Sequence, residues 1–163
     1  MQQTSIQIPM QIFPDRSALD PPDAQLLEAA SVATGDAYAP YSGFRVGAAV
    51  RLSNGKIVTG SNQENASFPA GICAERVALS AVSSVAPGIA ITDLALTCVN
   101  EKGDSSRPIS PCGICRQSLA EYEQRFGQNI RLILGGSTGE IFILDKATDL
   151  LPFAFSSQEL KSH

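Results

Sequence analysis

The chain reads as an α/β protein, one mixed β-sheet of about five strands with helices on both faces in three α/β/α layers. Three observations lead there. Asp23 to Tyr38 and Cys73 to Val85 carry apolar residues at helical spacing. Short apolar runs suited to strands alternate with them, and turn residues separate the last two. The resulting order, helix, hairpin, helix, strand, helix, strand, strand, implies a single sheet between helical layers.

Taken in order, Ile6, Ile8, Met10 and Ile12 alternate with polar residues, the period of a half-buried strand. Pro14, Pro21 and Pro22 then interrupt the chain, so residues 1–22 read as a short strand or arm followed by a linker, with residues 23–163 as the domain. Leu26, Leu27, Ala30, Ala33 and Ala37 predict a helix from Asp23, entered through the prolines and ending near Ala39-Pro40. Phe44 to Leu52 and Lys56 to Gly60 are strand-like, and Ser53-Asn54-Gly55 between them is a hairpin signal. Cys73 to Val85 is alanine-rich and apolar on one side, a buried helix, and Ile91 to Val99 suits a central strand. Gln117 to Phe126 continues a helix out of a Cys-x-x-Cys motif. Ile130 to Leu134 and Glu140 to Leu144 give two more strands around the turn Gly135 to Gly139, and a short helix at Thr148 to Leu151 precedes Pro152. The sequence contains no internal repeat and no low-complexity segment.

Composition narrows the function without naming it. A chain of 163 residues is one domain by length and buries roughly 70% of its unfolded surface. A net charge of −4 gives no electrostatic footprint for nucleic acid or anionic lipid, and no run approaches the length of a membrane span. Met1 to Ile12 has neither the basic region nor the continuous apolar stretch of a signal peptide. The expected setting is therefore the cytoplasm, where cysteines stay reduced and Cys-x-x-Cys points to metal or redox chemistry.

The chemistry concentrates in Cys73-Ala74-Glu75-Arg76 and Pro111-Cys112-Gly113-Ile114-Cys115-Arg116. Cys112 and Cys115, three positions apart, share one face of a helical turn, and Pro111 places that turn at a helix start. The helix's positive end favours the thiolate that binds metal. Cys73 begins the other buried helix, so two helix N-termini would converge on one ion. Three thiolates holding Zn²⁺ leave a fourth position open, as a catalytic site requires. Glu75, two residues from a ligand, would be aimed beside the ion to handle a proton. The only histidine, His163, ends the chain. Other readings of the same residues are a redox Cys-x-x-Cys pair, or a closed structural site completed by Cys98. Cys98 lies inside the expected central strand, where a small core residue is the simpler account.

Asn62-Gln63-Glu64-Asn65-Ala66-Ser67, the two cysteine motifs, the segment Ala37 to Ala49 and Leu150 to Ser157 together resemble the small homotetrameric cytidine deaminases of nucleoside salvage, from about Asp23 to Leu160. The resemblance implies hydrolytic deamination of cytidine and deoxycytidine to uridine and deoxyuridine plus ammonia. It implies zinc on Cys73, Cys112 and Cys115, zinc-bound hydroxide attacking C4, and Glu75 as proton shuttle. Arg76 and Arg116, each beside a ligand cysteine, would draw charge from the thiolates. Asn62 and Glu64 would hold the ribose hydroxyls, Phe44 and Phe155 would pack on the base, and Ala74 would meet the base edge through its backbone. It further implies a homotetramer with shared active sites, Phe155 reaching a neighbour's pocket, a small-molecule nucleoside substrate, and neither nucleic acid nor membrane as partner. Gln63 and Phe68 depart from the family pattern, the segment before Asp23 is longer than the family's usual start and its role is not inherited, and the polar loop Asn100 to Arg107 is of variable length in the family. Competing readings are a deaminase of another aminopyrimidine, base or nucleoside on the same fold, a nucleic-acid editing deaminase, and a zinc-stabilised binding module without turnover.

Overall fold

The structure is a computed structural model, and it describes residues 1–161. Six strands form one mixed sheet in the order β1-β6-β5-β4-β2-β3. In chain order the elements are β1 (Gln11–Phe13), α1 (Pro21–Ala33), β2 (Phe44–Leu52), β3 (Ile57–Ser61), α2 (Ala74–Val85), β4 (Ile91–Asn100), α3 (Gly113–Phe126), β5 (Arg131–Gly135), β6 (Ile141–Leu144) and α4 (Gln158–Lys161). β4 and β5 are parallel, joined by the α3 crossover, and all other neighbours are antiparallel.

The central strands β2, β4 and β5 are buried on both faces, and their period of two sorts residues between two cores. Val50, Leu94, Leu96, Leu132 and Leu134 pack with Ala78, Leu79 and Val82 of α2 and Leu119 of α3. Their chain neighbours Ala49, Ala95 and Ile133 pack with Leu26, Leu27 and Ala30 of α1. Two glycines let the helices lie close. A Cβ on Gly47 would stand 1.9 Å from the Ala30 carbonyl oxygen of α1, and one on Gly60 would stand 2.5 Å from the Ala78 nitrogen of α2. A part-buried ion-pair network pins the start of α1 to the sheet: Arg131 bridges Asp23 (2.6 Å) and Asp93 (3.5 Å), and Arg51 joins Asp93 at 3.3 Å.

The three-layer arrangement is as expected, with one strand more than the sequence suggests. The extra strand is β1, three residues added antiparallel to β6 in the segment that reads as an arm. Ile6, Ile8, Met10 and Ile12 all remain exposed. The first helix ends at Ala33, well before Ala39. Thr34 turns its hydroxyl back to the Ser31 carbonyl (2.8 Å), and Arg45 takes the Thr34 and Gly35 carbonyls, so residues 34–36 tighten into a 3₁₀ turn. The expected helix at Thr148 to Leu151 is likewise a 3₁₀ turn, Ala147–Leu150, and α4 has no counterpart in the sequence reading. The hairpin falls on Ser53-Asn54-Gly55, with Gly55 at φ +83°, the left-handed turn conformation that favours glycine. His163 lies outside the described residues. Among the described residues, no helix is long and apolar enough to cross a membrane.

Candidate active site and metal centre

Cys73 is the N-cap of α2 and Cys112 the N-cap of α3, so both helix starts meet where the sequence reading puts them. Cys115 sits in the first turn of α3, fully buried. The Cys73 and Cys112 sulfurs are 3.8 Å apart and those of Cys112 and Cys115 are 3.5 Å apart. Thiolates at about 2.3 Å from a tetrahedral zinc are separated by about 3.8 Å, so the triangle fits the ion. Cys98 is buried in β4 and stands outside this group. The three sulfurs lie within 4.8 Å of one another and form the one such cluster of three or more metal-binding side chains among the described residues.

Electrostatics prepare the cluster for a cation. Cys115 and, more weakly, Cys112 donate to the Cys73 sulfur, and with the nearby Arg76 charge they bring its thiol down to about 6 against the cost of burial. Cys115 moves the opposite way, because its proton is held in that hydrogen bond and burial disfavours its charge. Glu75 is 4% exposed, and burial raises its carboxyl above the ordinary range.

A cavity of about 540 Å³ opens beside the sulfurs. Cys73, Ala74, Glu75 and Cys112 form its floor, with Phe44, Asn62 and Glu64 also on its walls. Asn62 follows β3, and its side chain is fixed on β2: Val46 N–H donates to Oδ1 at 2.7 Å and Nδ2 donates to the Phe44 carbonyl at 2.9 Å. One N–H and one lone pair remain for a ligand. Glu64 accepts from the Tyr41 and Ser42 amides at 2.9 and 3.3 Å, and Ser42 and these amides hold its carboxyl below the ordinary range. Both amides bond the same oxygen, Oε2, and orient the carboxylate.

Two residues sit differently from the simplest expectation. Arg116 donates to the carbonyls of Pro111 (2.8 Å) and Leu150 (3.0 Å) and, among the described residues, to no sulfur. Phe155 is 60% exposed and lines a separate groove of about 680 Å³ on the far part of α3, away from its own chain's cysteines. The structure also adds wall residues the sequence reading missed: Ser42, Val46, Leu96, Ile109 and Ser110. For Val46 and Leu96 a signal existed, since they share a sheet face with the core beneath α2. Ile109 and Ser110 could be found only as the residues leading into Pro111-Cys112. A second cavity, about 390 Å³, shares Asn62, Glu64 and Cys73 and is bordered by Tyr41 and Phe68, whose rings meet edge-on at 5.8 Å.

An open three-thiol site with a buried carboxylate at its edge, set on helix starts above a mixed sheet, defines a zinc-dependent hydrolase. Residues 21–126 match the family model described as the cytidine and deoxycytidylate deaminase zinc-binding region. The cytidine deaminase of Halalkalibacterium halodurans is 36% identical over 137 residues, covering 83% of this chain and 95% of that protein. That of Mycobacterium tuberculosis is 37% identical, covering 80% and 87%. The crystal structure of cytidine deaminase from Burkholderia pseudomallei superposes with a TM-score of 0.69 at 37% identity, covering 80% of this chain and 97% of that one. The chain belongs to the cytidine and deoxycytidylate deaminase family, whose zinc-binding region it carries.

Proposed function

We propose that this protein hydrolyses cytidine and deoxycytidine to uridine and deoxyuridine with release of ammonia, as part of pyrimidine salvage. The observation that carries the choice of nucleoside is the cavity wall. Its described lining includes Glu64 and Glu75 and neither lysine nor arginine, so a 5′-phosphate would meet two carboxylates and no lining cation. Asn62 and Glu64, both fixed through backbone hydrogen bonds, would take the ribose hydroxyls. Residues 23–163 would carry the activity.

Cys73, Cys112 and Cys115 would hold Zn²⁺, which supplies the Lewis acidity that makes water nucleophilic near neutral pH. Glu75 would accept the proton of the attacking water and deliver it to ring N3. It would then help protonate the amino group leaving C4 as ammonia, and its raised carboxyl suits it to hold that proton between steps. Arg76, beside Cys73, would offset the negative charge of three thiolates. Arg116 would do so less directly, through its hold on the Pro111 carbonyl at the start of the ligand turn. Phe44 would pack against the base, and Ala74 would present backbone to its edge.

Cytosine should be a very poor substrate of the wild type. A site built to bond a sugar leaves its polar groups unpaired without one, and Glu64→Ala, which removes one of those groups, should raise KM for cytidine. Steady-state assays on both compounds check this, and equal turnover of cytosine and cytidine would move the chain to base deamination.

The assembly that fits best is a cytoplasmic homotetramer with shared sites. Phe153, Phe68, Ile114 and Phe155 are 89, 76, 63 and 60% exposed in the single chain, large apolar side chains that association would cover. Phe155 would then complete a neighbour's pocket. Glu75→Gln and Phe155→Ala subunits should each be weak alone and regain activity in mixed assemblies, and verified mixed oligomers without recovery would exclude the arrangement.

A further inference from the structure

Glu123 is a buried carboxylate, 6% exposed, in the C-terminal half of the helix whose first turn carries Cys112 and Cys115. It accepts three backbone amides: Ile130 at 2.7 Å, Ala147 at 3.0 Å and Thr148 at 3.2 Å. The last two open the 3₁₀ turn from which the C-terminal segment departs. From there the chain climbs α3. The Leu150 carbonyl accepts from Arg116, immediately after Cys115, and the backbone turns at 151–154 with Ala154 N–H donating to the Leu151 carbonyl. It then descends, the Phe155 carbonyl accepting from Gln117 (2.8 Å) and Ser157 N–H donating to Gln124 (3.2 Å). Arg116, Gln117, Ala120, Glu123 and Gln124 fall on one stripe of α3 by helical spacing. The segment is thus a strap laid along the metal-ligand helix, and Glu123 is its one buried, charged anchor.

We propose that Glu123 is a positioning residue for the active site, fixing the 147–157 strap on α3 and so setting where Phe155 is presented to the nucleoside pocket. This rests on the reading of Phe155 as a base-packing residue. Three backbone amides on one carboxylate fix its position and theirs through bonds of defined direction. A carboxamide at the same place offers one carbonyl oxygen and turns an NH₂ toward a backbone N–H, donor against donor. The strap root would shift while the helix and its cysteines stay in place.

The test is a double-mutant cycle on zinc-verified proteins: wild type, Glu123→Gln, Phe155→Ala, and both together, each assayed for KM and kcat with cytidine. Glu123→Gln should raise KM about tenfold with kcat changed much less, since displacements of about 1 Å from a productive pose cost up to about 10²-fold. Zinc content should equal wild type. In the Phe155→Ala background, adding Glu123→Gln should change KM little, the non-additivity of residues acting through one another. Gln117→Ala, which frees only the Phe155 carbonyl at the surface, should give a smaller KM increase that also vanishes in that background. Wild-type KM in Glu123→Gln, additive effects in the cycle, or a Glu123→Gln protein that fails to fold or to hold zinc overturns the proposal while leaving the Phe155 reading intact. Unchanged KM in Phe155→Ala alone overturns that reading, and the proposal with it.

Discussion

Glu75→Gln is expected to keep the fold and a full complement of zinc and to lose nearly all turnover. The substitution is nearly isosteric at a site 4% exposed, so packing changes little and no bulk water takes the side chain's place. What changes is the chemistry: a neutral amide accepts no proton from water and gives none to ring N3 or the departing amine. General acid–base groups contribute about 10²–10⁴-fold, and one group serving several transfers belongs at the upper end. Steady-state kcat with elemental analysis of the same preparation reads both halves. Retention of more than about a tenth of the wild-type rate would remove Glu75 from the proton path.

The second large effect is on the metal. Cys112→Ala should abolish stable zinc binding and activity together, while Cys98→Ala should leave both near wild type. Cys112 is exposed at the N-cap of α3, so its loss opens no core cavity, and a drop in zinc reports on ligation. Thiolate-rich zinc sites hold the ion with an apparent free energy of about 10–16 kcal/mol in peptides, so a full complement should survive dialysis of the wild type and not of the variant. Zinc retained by Cys112→Ala, or lost from Cys98→Ala, would require a different ligand set.

How much of this was legible in the sequence follows from how local each signal is. The thiol cluster was readable because i, i+3 spacing behind Pro111 fixes Cys112 and Cys115 on one turn, and Cys73 stands at the start of the other alanine-rich helix. The β2–β3 hairpin was readable because Ser53-Asn54-Gly55 carries its own turn geometry. The end of α1 was not, since Ala37 continues the apolar period and the stop depends on Arg45, brought in from β2 to the Thr34 and Gly35 carbonyls. β1 is three residues long and is a strand only because β6 offers an edge. Glu123 was the least visible of all. In a polar, solvent-facing helical pattern a glutamate reads as surface, and only the tertiary fold brings the Ile130, Ala147 and Thr148 amides to it. Arg116 was found by its neighbourhood to Cys115, whereas its bond to the Leu150 carbonyl joins groups 34 positions apart.

Deamination of cytidine in this cavity would need a single zinc held by the three thiolates. Its most direct measurement is uridine and ammonia formation by protein stripped of metal with a strong chelator and then titrated with Zn²⁺ under reducing conditions. Activity should be absent after stripping, rise in proportion to zinc, and level off at one ion per chain, with uridine and ammonia in equal amounts. Undiminished activity in zinc-free protein, or zinc-saturated protein that leaves cytidine unchanged, would contradict it.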